Sequence, residues 1–424
     1  MSNDTEHNQT GLSYNLKARG FINQFSGVSL EEILDKDSRT FYLGIDPTAD
    51  SLHVGNLAVY MLARQLTDYG HKPILLIGGG TALLGDPKDT LERPLSDESE
   101  VKIRAEKLYQ QVKNLLGVEA EIVNNYDWLR QLNLIDFLRK FGKHLTVNQM
   151  IKKDIIARRL TNESPISYTE FAYAPLQGYD FWHLFKTKNC SVQIGGSDQW
   201  GNLMTGVELI KKLEGETAYA LTSPLIVDKA SGRKFGKSEG NAVWLDKNMT
   251  SPYGFYQFWL NVSDEDVIDR LKIFTLLPLS EIEELNRTVE TEPQLRKAQK
   301  TLAYEVTKFV HGDDLATSAR IVSQVLFGEV DFSELTDGDI LMLKEEAPTQ
   351  SVKIEDNLID ILISGSLAAS KGEARRLIEA GGITLNSKKI TSVNYQITTT
   401  DFNSATGLAL LRRGKKQLSV LVLE

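Results

Sequence analysis

Residues 41–80, FYLGIDPTADSLHVGNLAVYMLARQLTDYGHKPILLIGGG, contain the pattern that decides the fold. The segment begins with the apolar run FYLGID (41–46), continues as NLAVYMLARQLTDYG (56–70) with apolar residues at helical spacing, and ends with KPILLIGGG (72–80). A strand, a helix and a second strand of these lengths form a βαβ unit, which places both strands parallel in one sheet. The segment therefore predicts an α/β fold with a Rossmann-like parallel sheet.

Two further apolar runs extend the predicted sheet. CSVQIGG (190–196) follows a helical stretch, and LIVD (225–228) precedes a loop that contains two lysines. The loops at 44–56, 78–86 and 195–199 then leave the ends of predicted strands. Because ligands of parallel sheets bind beyond the carboxyl ends of the strands, we expect one ligand to contact all three loops.

The pattern changes at about residue 250. Segments such as SPYGFYQFWLNV (251–262) are typical of helices, so we predict a sheet domain at 1–250 followed by a helical domain at 251–336. Residues 337–356 lack a sustained period and include Pro348, which predicts a linker with room for a short helix.

Residues 357–424 are predicted to form a small α+β domain. Ser370 and Glu373 have the spacing of a capping box, and the helix they begin runs through Ile378 and stops at the glycine pair 381–382 before the strand ITLN. Arg375 and Arg376 then point away from the apolar stripe of this helix. The cluster RRGKK (412–416) lies in a predicted hairpin turn.

Composition sets limits on the class of protein. The 424 residues are 41% hydrophobic and 25% charged, which is typical of a soluble protein of two or three domains. No apolar run approaches the roughly 20 residues of a membrane span, and the polar start MSNDTEHNQTG predicts no targeting segment, so we expect a cytoplasmic location. A single cysteine, Cys190, and six scattered histidines predict neither a disulfide nor a structural metal site.

The charge is unevenly distributed. The net charge is −9, yet residues 353–424 hold ten Lys or Arg against seven Asp or Glu. Two basic clusters on so small a domain favour binding to a phosphate backbone, although charge alone is equally consistent with a solvated surface.

The triplet Gly-Lys-Ser at 236–238 raises the question of a phosphate-binding P-loop. That motif requires a glycine where this chain has Ser231, and Gly232 is one residue too late. We interpret the segment as a mobile surface loop with two cations, Lys234 and Lys237.

The segment PTADSLHVGN (47–56) joins the first strand to the first helix. Ser51 or Asp50 is predicted to cap this helix, which places His53, Gly55 and Asn56 in its first turn. Free N–H groups and the helix dipole favour an anion there. A lone histidine at a helix start is more often structural, so this feature is weak by itself.

Together, HVGN (53–56) and KFGKS (234–238) resemble the two signatures of class I aminoacyl-tRNA synthetases, a His-x-Gly-His turn and a Lys-Met-Ser-Lys-Ser loop. Asn56 stands where the signature has its second histidine. Within that class, the segments FYLGIDPTADSLHVGN, YAPLQGYDF (173–181) and IGGSDQWGN (194–202) resemble bacterial-type tyrosyl-tRNA synthetases. Residues 358–386 are similar to the S4-like RNA-binding domain of those enzymes.

The resemblance implies that the chain activates L-tyrosine with ATP and Mg²⁺ and transfers it to tRNA(Tyr), and that it forms a homodimer. It makes 1–250 the catalytic domain, 251–336 an anticodon-binding domain and 357–424 an S4-like RNA-binding domain. The implied tyrosine-binding residues are Tyr42, Asp86, Tyr173, Gln177, Asp180 and Gln199, of which Tyr42 and Asp180 would bind the phenolic hydroxyl.

The other implied site residues fall into three groups. The adenosine of ATP would be bound by Gly44, Asp46, Gly55, Gly196 and Asp198. The phosphates, the ribose and the leaving pyrophosphate would be contacted by Thr48, His53, Asn56, Lys234, Lys237 and Ser238. The tRNA would be bound by Lys371, Arg375, Arg376, Arg412, Arg413, Lys415 and Lys416. Whether Lys88 or Arg93 supplies a further cation is left open.

The residues themselves add one geometric expectation. Tyr173, Gln177 and Asp180 lie at i, i+4 and i+7, so a helix that continues through Pro175 would present them on one polar face. Two alternatives to the tyrosine enzyme remain: a related synthetase for tryptophan or another amino acid, and a non-catalytic RNA-binding protein with the synthetase fold.

Overall fold

A six-stranded sheet organises the first part of the chain in the computed structural model, which describes residues 11–87, 97–238, 241–330, 332–414 and 417–424. The strands follow the order β1-β6-β5-β2-β3-β4, and all neighbours are parallel except the short β1, which is antiparallel to β6. Their bounds are β1 Gln24–Phe25, β2 Thr40–Ile45, β3 Lys72–Ile77, β4 Glu121–Asn124, β5 Cys190–Gly196 and β6 Tyr219–Ser223. The predicted parallel α/β sheet is confirmed.

The position of β2 explains where a ligand binds. The chain leaves β2 toward β3 and β4 on one side, whereas β5 and β6 lie on its other side. Connections therefore diverge at the carboxyl ends of β2 and β5, and this divergence opens a crevice at the edge of the sheet. The loops predicted to share a ligand leave the sheet at this edge.

The helices associated with this sheet are α1 Leu12–Arg19, α2 Leu30–Leu34, α3 Val54–Asp68, α4 Gly79–Ala82, α5 Glu98–Leu116, α6 Tyr126–Leu129, α7 Leu134–Lys140, α8 Val147–Met150, α9 Asp154–Thr161, α10 Tyr168–Lys188 and α11 Trp200–Glu214. Contacts also place residues 262–298 in the same compact unit as residues 1–249. That segment includes α13 Asp264–Phe274 and α14 Leu279–Thr291; α12, Pro252–Leu260, belongs to the second unit.

The start of α3 differs from the prediction. Its N-cap is His53 rather than Ser51 or Asp50, and the backbone N–H of His53 donates to Asn56 Oδ1 at 3.3 Å. Asp50 instead accepts from Lys107 at 2.8 Å, and Ser51 donates to the carbonyl of Leu52. The polar groups of the two candidates are engaged elsewhere, which leaves the cap to His53.

The prediction of the fourth strand was wrong. LIVD (225–228) forms only an isolated bridge from Val227 to Lys234, and the strand next to β5 is Tyr219–Ser223. All five residues of β6 are buried, so its sequence lacks the polar alternation that marks a half-exposed strand. Pro224, which follows immediately, has no N–H with which to continue the ladder.

Helix α10 is continuous through Pro175, so the predicted shared face of Tyr173, Gln177 and Asp180 is confirmed. The helix packs closely against α11 through two glycines. A β-carbon on Gly178 would lie 2.9 Å from Thr205, and one on Gly206 would lie 2.7 Å from the β-carbon of Phe181. Only glycine permits this approach, which fixes the position of α10 over the sheet.

The second unit comprises residues 250–261 and 299–424. It contains α12 and, from residue 299 onward, α15 Lys297–His311, together with α16 Asp313–Phe327, α17 Asp337–Glu346, α18 Leu358–Ser364 and α19 Lys371–Glu379. A five-stranded sheet of order β11-β10-β12-β13-β9 completes it. Those strands are β9 Thr349–Val352, β10 Ile383–Leu385, β11 Lys388–Lys389, β12 Leu408–Arg413 and β13 Gln417–Leu423; the remaining pair, β7 Lys237–Ser238 and β8 Asn241–Ala242, lies in the first unit.

The segment predicted as a linker has regular structure. Residues 337–346 form α17, as the expectation of a short helix allowed, and residues 349–352 form β9, which pairs parallel to β13. The predicted hairpin between β12 and β13 is confirmed. The assignment of separate anticodon-binding and S4-like domains stays a prediction.

The Gly206 contact generates a stability prediction. We expect Gly206→Ala to lower the free energy of unfolding by about 1–3 kcal/mol, because the added methyl group overlaps Phe181 and must push α10 and α11 apart. Urea unfolding measures the change. Gly201→Ala in the same helix is the control, because its methyl group would meet Lys153 at an ordinary 3.5 Å. Equal losses in the two variants would contradict this account of the packing.

Candidate active site

A cavity of about 370 Å³ opens at the carboxyl ends of β2 and β5. All the residues predicted to bind tyrosine, ATP and the phosphates line this cavity, except Lys237 and Ser238. They are Tyr42, Gly44, Asp46, Thr48, His53, Gly55, Asn56, Asp86, Tyr173, Gln177, Asp180, Gly196, Asp198, Gln199 and Lys234. Residues from segments nearly 200 positions apart thus meet in one place, as the strand topology requires.

Asp180 lies at the inner end of this cavity and is only 2% exposed. Trp128 Nε1 donates to its Oδ1 at 2.7 Å, and Asn125 Nδ2 donates to its Oδ2 at 2.9 Å. Burial raises the pKa of Asp180 to about 7, and the two donors oppose this rise because they stabilise the carboxylate. The result is a carboxylate held in a fixed orientation.

Tyr42 lies on β2 beside this end of the cavity. Its ring packs against Phe181 with centroids 5.3 Å apart, and its hydroxyl is buried without a hydrogen-bond partner within the described part of the chain. Burial raises the pKa of Tyr42 well above its usual value, with Asp180 as the second cause. The same inner region therefore holds an acceptor, Asp180, and an unused hydroxyl, which suits a ligand with one polar group.

Three more polar atoms on the cavity wall have no protein partner among the described residues: Gln177 Oε1, Gln193 Oε1 and Ser223 Oγ. Gln193 is the register partner of Tyr42 on the neighbouring strand. An unsatisfied buried polar atom costs free energy unless a ligand or water completes it. Such a group of atoms is expected of a wall that binds a polar ligand.

A hydrogen-bond network joins this inner end of the cavity to the outer part. Asn125 Nδ2 also donates to Thr81 Oγ1 at 3.0 Å, and Thr81 Oγ1 donates to Asp46 Oδ1 at 2.9 Å. Tyr173 donates its hydroxyl to Asp46 Oδ2 at 2.8 Å. Asp46 and Asp180 are therefore linked through two polar side chains, Asn125 and Thr81.

Asp86 and Gln199 form a hydrogen-bonded pair of a carboxylate and an amide on the wall of the cavity. Gln199 Nε2 donates to Asp86 Oδ2 at 3.0 Å, and Asn202 Nδ2 donates to Asp86 Oδ1 at 3.4 Å. Asp86 also lines an adjoining cavity of about 390 Å³. In that cavity Lys153 donates to Thr205 Oγ1 at 2.6 Å, and burial lowers the pKa of Lys153 to about 8.

The two predicted signatures contact each other. The N–H of Val54 donates to the carbonyl of Val243 at 2.9 Å, and a β-carbon on Gly236 would lie 3.1 Å from the nitrogen of Gly55. Gly236 has φ +81°, so glycine is required for both conformation and space. Lys237 and Ser238 pair with Asn241 and Ala242 in the β7–β8 hairpin, an arrangement unlike the strand-to-helix turn of a P-loop.

The predicted RNA-binding residues have mixed surroundings. Arg375 and Arg376 are exposed on α19, away from the buried Ala374 and Ile378, as predicted. Arg412 instead donates to the carbonyls of Val325 and Leu326 at the end of α16.

Arg413 and Lys371 also have partners within the protein. Arg413 bonds the carbonyl of Leu367 at 2.8 Å and pairs with Glu373 at 2.9 Å. Lys371 pairs with Asp360 at 3.0 Å. Lys415 and Lys416, like Lys88 and Arg93, lie outside the described residues. The RNA-binding role of the set stays a prediction.

Sequence reasoning missed Asn125, Trp128, Thr81 and Gln193. Asn125 immediately precedes α6, and Trp128 lies within it. This helix is a single turn that follows β4, and its sequence has no recognisable motif. Gln193 was visible inside CSVQIGG, where the strand period would place it on the same side of the sheet as Tyr42 once the two strands pair.

Comparison with known proteins agrees with this geometry. The family described as tRNA synthetases class I (W and Y) matches residues 35–328, and the tyrosine–tRNA ligase SYY-like C-terminal domain matches residues 339–421. The chain is 45% identical to the tyrosine–tRNA ligase of Staphylococcus saprophyticus over 414 residues, which cover 96% of this chain and 97% of that enzyme. The chain belongs to the tyrosine–tRNA ligase family of class I synthetases.

Solved structures of synthetases have the same fold. A C-terminally truncated mitochondrial tyrosyl-tRNA synthetase of Aspergillus nidulans superposes with a TM-score of 0.69 at 29% identity, covering 76% of this synthetase and 96% of that chain. A tryptophanyl-tRNA synthetase of Encephalitozoon cuniculi is similar in fold alone, with a TM-score of 0.54 at 14% identity over 77% of this synthetase and 91% of that chain.

The setting of Asp180 in this synthetase generates a titration prediction. We expect its carboxyl group to titrate near pH 7, and we expect Trp128→Phe to raise that pKa further, because the lost N–H favoured the charged form. The pH dependence of the ¹³C carboxyl resonance measures both, with Asp180→Asn to assign the signal. A pKa that stays the same or falls in Trp128→Phe would contradict the assigned role of the indole.

Proposed function

We propose that the chain makes tyrosyl-tRNA in two steps. The carboxylate of L-tyrosine attacks the α-phosphorus of ATP, which forms tyrosyl-adenylate and releases pyrophosphate. The terminal ribose hydroxyl of tRNA(Tyr) then attacks the tyrosyl carbonyl, and AMP leaves. The single observation that carries the proposal is the buried, doubly hydrogen-bonded Asp180 in a cavity that is also lined by residues of both synthetase signatures.

Asp180 would accept the phenolic O–H of tyrosine, and Tyr42 would donate its hydroxyl to the phenolic oxygen. Phenylalanine lacks that oxygen, so its binding would leave both buried groups without a partner. Rejection on the order of 10⁴–10⁵ in rate ratio is a magnitude already known for tyrosyl-tRNA synthetases. An indole has one N–H donor and no acceptor, which makes tryptophan a poorer fit to Asp180 and Tyr42 together.

The outer part of the cavity suits the remaining groups of the substrates. Asp86, Tyr173 and Gln177 would bind the α-ammonium group, and Gln199 would contact the carboxylate end. The adenosine would lie against Gly44, Asp46, Gly55, Gly196 and Asp198. This arrangement would place the carboxylate and the α-phosphorus side by side, which lowers the entropic cost of reaction.

Negative charge builds up on the phosphates as pyrophosphate leaves. Thr48, His53 and Asn56 at the start of α3, with Lys234, Lys237 and Ser238 from the loop, would stabilise that charge. The described residues contain no group of three or more His, Cys, Asp or Glu side chains arranged for a metal. Mg²⁺ would enter with ATP, bound by phosphates and water as this ion prefers, and would supply further charge neutralisation.

The tRNA would be contacted by the basic residues of the C-terminal domain, Lys371, Arg375, Arg376, Arg412, Arg413, Lys415 and Lys416, and by the helices between residues 251 and 336. The acceptor end of the tRNA would reach the adenylate by way of the adjoining cavity, which Asp86 also lines. We place the enzyme in the cytoplasm on its similarity to the bacterial tyrosine–tRNA ligase. Among the described residues, no helix has the length and apolar character of a membrane span.

The exchange of labelled pyrophosphate into ATP tests the activity directly. We expect exchange with L-tyrosine alone when each standard amino acid is supplied in turn, because only tyrosine satisfies both Asp180 and Tyr42. Exchange with tryptophan alone would establish the related enzyme instead. If none of the amino acids supports exchange, the result would point to a non-catalytic RNA-binding protein.

A homodimer is the second part of the proposal. Three apolar side chains of α7 are exposed, Leu134 by 65%, Ile135 by 63% and Leu138 by 43%. Val147 and Leu160, further along the same segment, are also exposed, by 61% and 52%. Exposed apolar groups in one region mark an interaction surface, and the family resemblance makes a second copy of this chain the partner.

Sedimentation at micromolar concentration tests the dimer. We expect the unmodified chain to sediment as a dimer and Ile135→Asp to sediment as a monomer, because an aspartate in the centre of an apolar interface loses its hydration without gaining a partner. Leu341→Asp is the control, since Leu341 is 60% exposed on α17 and outside this surface. Identical sedimentation of the two variants would sink the assignment of the interface.

A further inference from the structure

We propose that His183 is a positioning residue for tyrosine selection, whose imidazole ring holds the indole of Trp128 in the orientation that donates to Asp180. The inference rests on the proposed tyrosine activity and extends it to a residue that touches no substrate. It concerns the side of Asp180 that faces away from the cavity.

The geometry of three side chains carries the inference. The rings of Trp128 and His183 are stacked with centroids 4.4 Å apart and planes 21° apart. The indole Nε1 lies 2.7 Å from Asp180 Oδ1. His183 follows Asp180 by three residues on α10, so one helix supplies both the carboxylate and the ring that supports its donor.

Trp128 needs such support because its own backbone element is short. It belongs to α6, a single turn of four residues, and its side chain is half-buried. One turn of helix has little stability of its own. An indole without its stacking partner has other rotamers available, and most of them would turn Nε1 away from Asp180.

His183 is itself held in place and acts through shape rather than charge. Its ring also stacks with the ring of Tyr179, with centroids 6.2 Å apart and planes 29° apart. Burial lowers the pKa of His183, and Lys188 lowers it further, so both causes favour the neutral ring. A neutral ring cannot serve as the counter-ion of Asp180, which leaves stacking as its contribution.

The consequence is a defined kinetic signature. When the stack is lost, Asp180 keeps Asn125 but loses a fixed donor on Oδ1, so the carboxylate rotates and meets the phenolic hydroxyl less well. Substrates with the hydroxyl lose more than substrates without it. The ATP side of the cavity, which Asp46 and Thr81 hold, is linked to Asp180 through Asn125, and the loss of the stack leaves the hydrogen bonds of Asn125 in place.

The test compares His183→Ala with His183→Phe in tyrosine-dependent pyrophosphate exchange. We expect His183→Ala to raise the KM for tyrosine and to lower the tyrosine-to-phenylalanine ratio of kcat/KM, each by roughly three- to tenfold, the size of one lost aromatic contact. The KM for ATP should stay unchanged. His183→Phe keeps a ring at the same place and should restore both tyrosine parameters.

Two further variants exclude a general loss of structure. Trp182→Phe changes an aromatic neighbour whose Nε1 donates to Glu214, and it should leave the ratio unchanged. In a Trp128→Phe background, His183→Ala should have no additional effect on the ratio, because the donor it positions is already absent. If His183→Ala fails to fold, His183→Leu replaces it, because leucine fills the volume without a ring. The expected fall in the tyrosine-to-phenylalanine ratio of kcat/KM is the same.

The inference is overturned if His183→Ala leaves the tyrosine-to-phenylalanine ratio of kcat/KM unchanged. It is also overturned if His183→Ala lowers that ratio as much in the Trp128→Phe background as in the unmodified chain. Neither result affects the proposed function, which fails only if the unmodified chain shows no exchange with tyrosine. The two ideas are therefore tested separately by one assay.

Discussion

The buried carboxylate of Asp180 is the constraint on which the rest of the site depends. A carboxylate in so dry a position is costly unless donors satisfy it, and this chain supplies one donor for each oxygen, Trp128 and Asn125. These two donors lie after β4, whereas the carboxylate lies on α10, so the selectivity of the site requires that both elements keep their places on the sheet. The glycine contacts between α10 and α11 serve that requirement.

The same hydrogen bonds link the two substrates. Asn125 reaches Thr81, Thr81 reaches Asp46, and Asp46 accepts from Tyr173, so the wall that would hold the phenol and the wall that would hold adenosine are built from one network. A network in which each member has a partner is rigid, and rigidity is what an alignment catalyst needs. Tyr42, Gln177 and Gln193 line the cavity, and each has a buried polar atom without a partner among the described residues, which substrate groups would complete.

Much of this could be predicted from the sequence because it depends on local pattern. The βαβ period gave the sheet and the edge at which ligands bind, and the spacing of Tyr173, Gln177 and Asp180 gave their common face once α10 proved continuous. The failures depend on tertiary context. A strand buried on both faces carries no alternation, so the sequence pattern favours LIVD over the neighbouring YALTS. Trp128 and Asn125 act through a partner 52 to 55 residues away, which no local pattern encodes.

The central claim is that Asp180 selects the phenolic hydroxyl, and the ratio of kcat/KM for tyrosine over phenylalanine in Asp180→Asn tests it most directly. Trp128 and Asn125 both donate toward this position, so the amide of an asparagine would oppose one of them and turn from the ligand. The account predicts that the ratio falls at least about tenfold while the KM for ATP is unchanged. A ratio equal to that of the unmodified chain would contradict it.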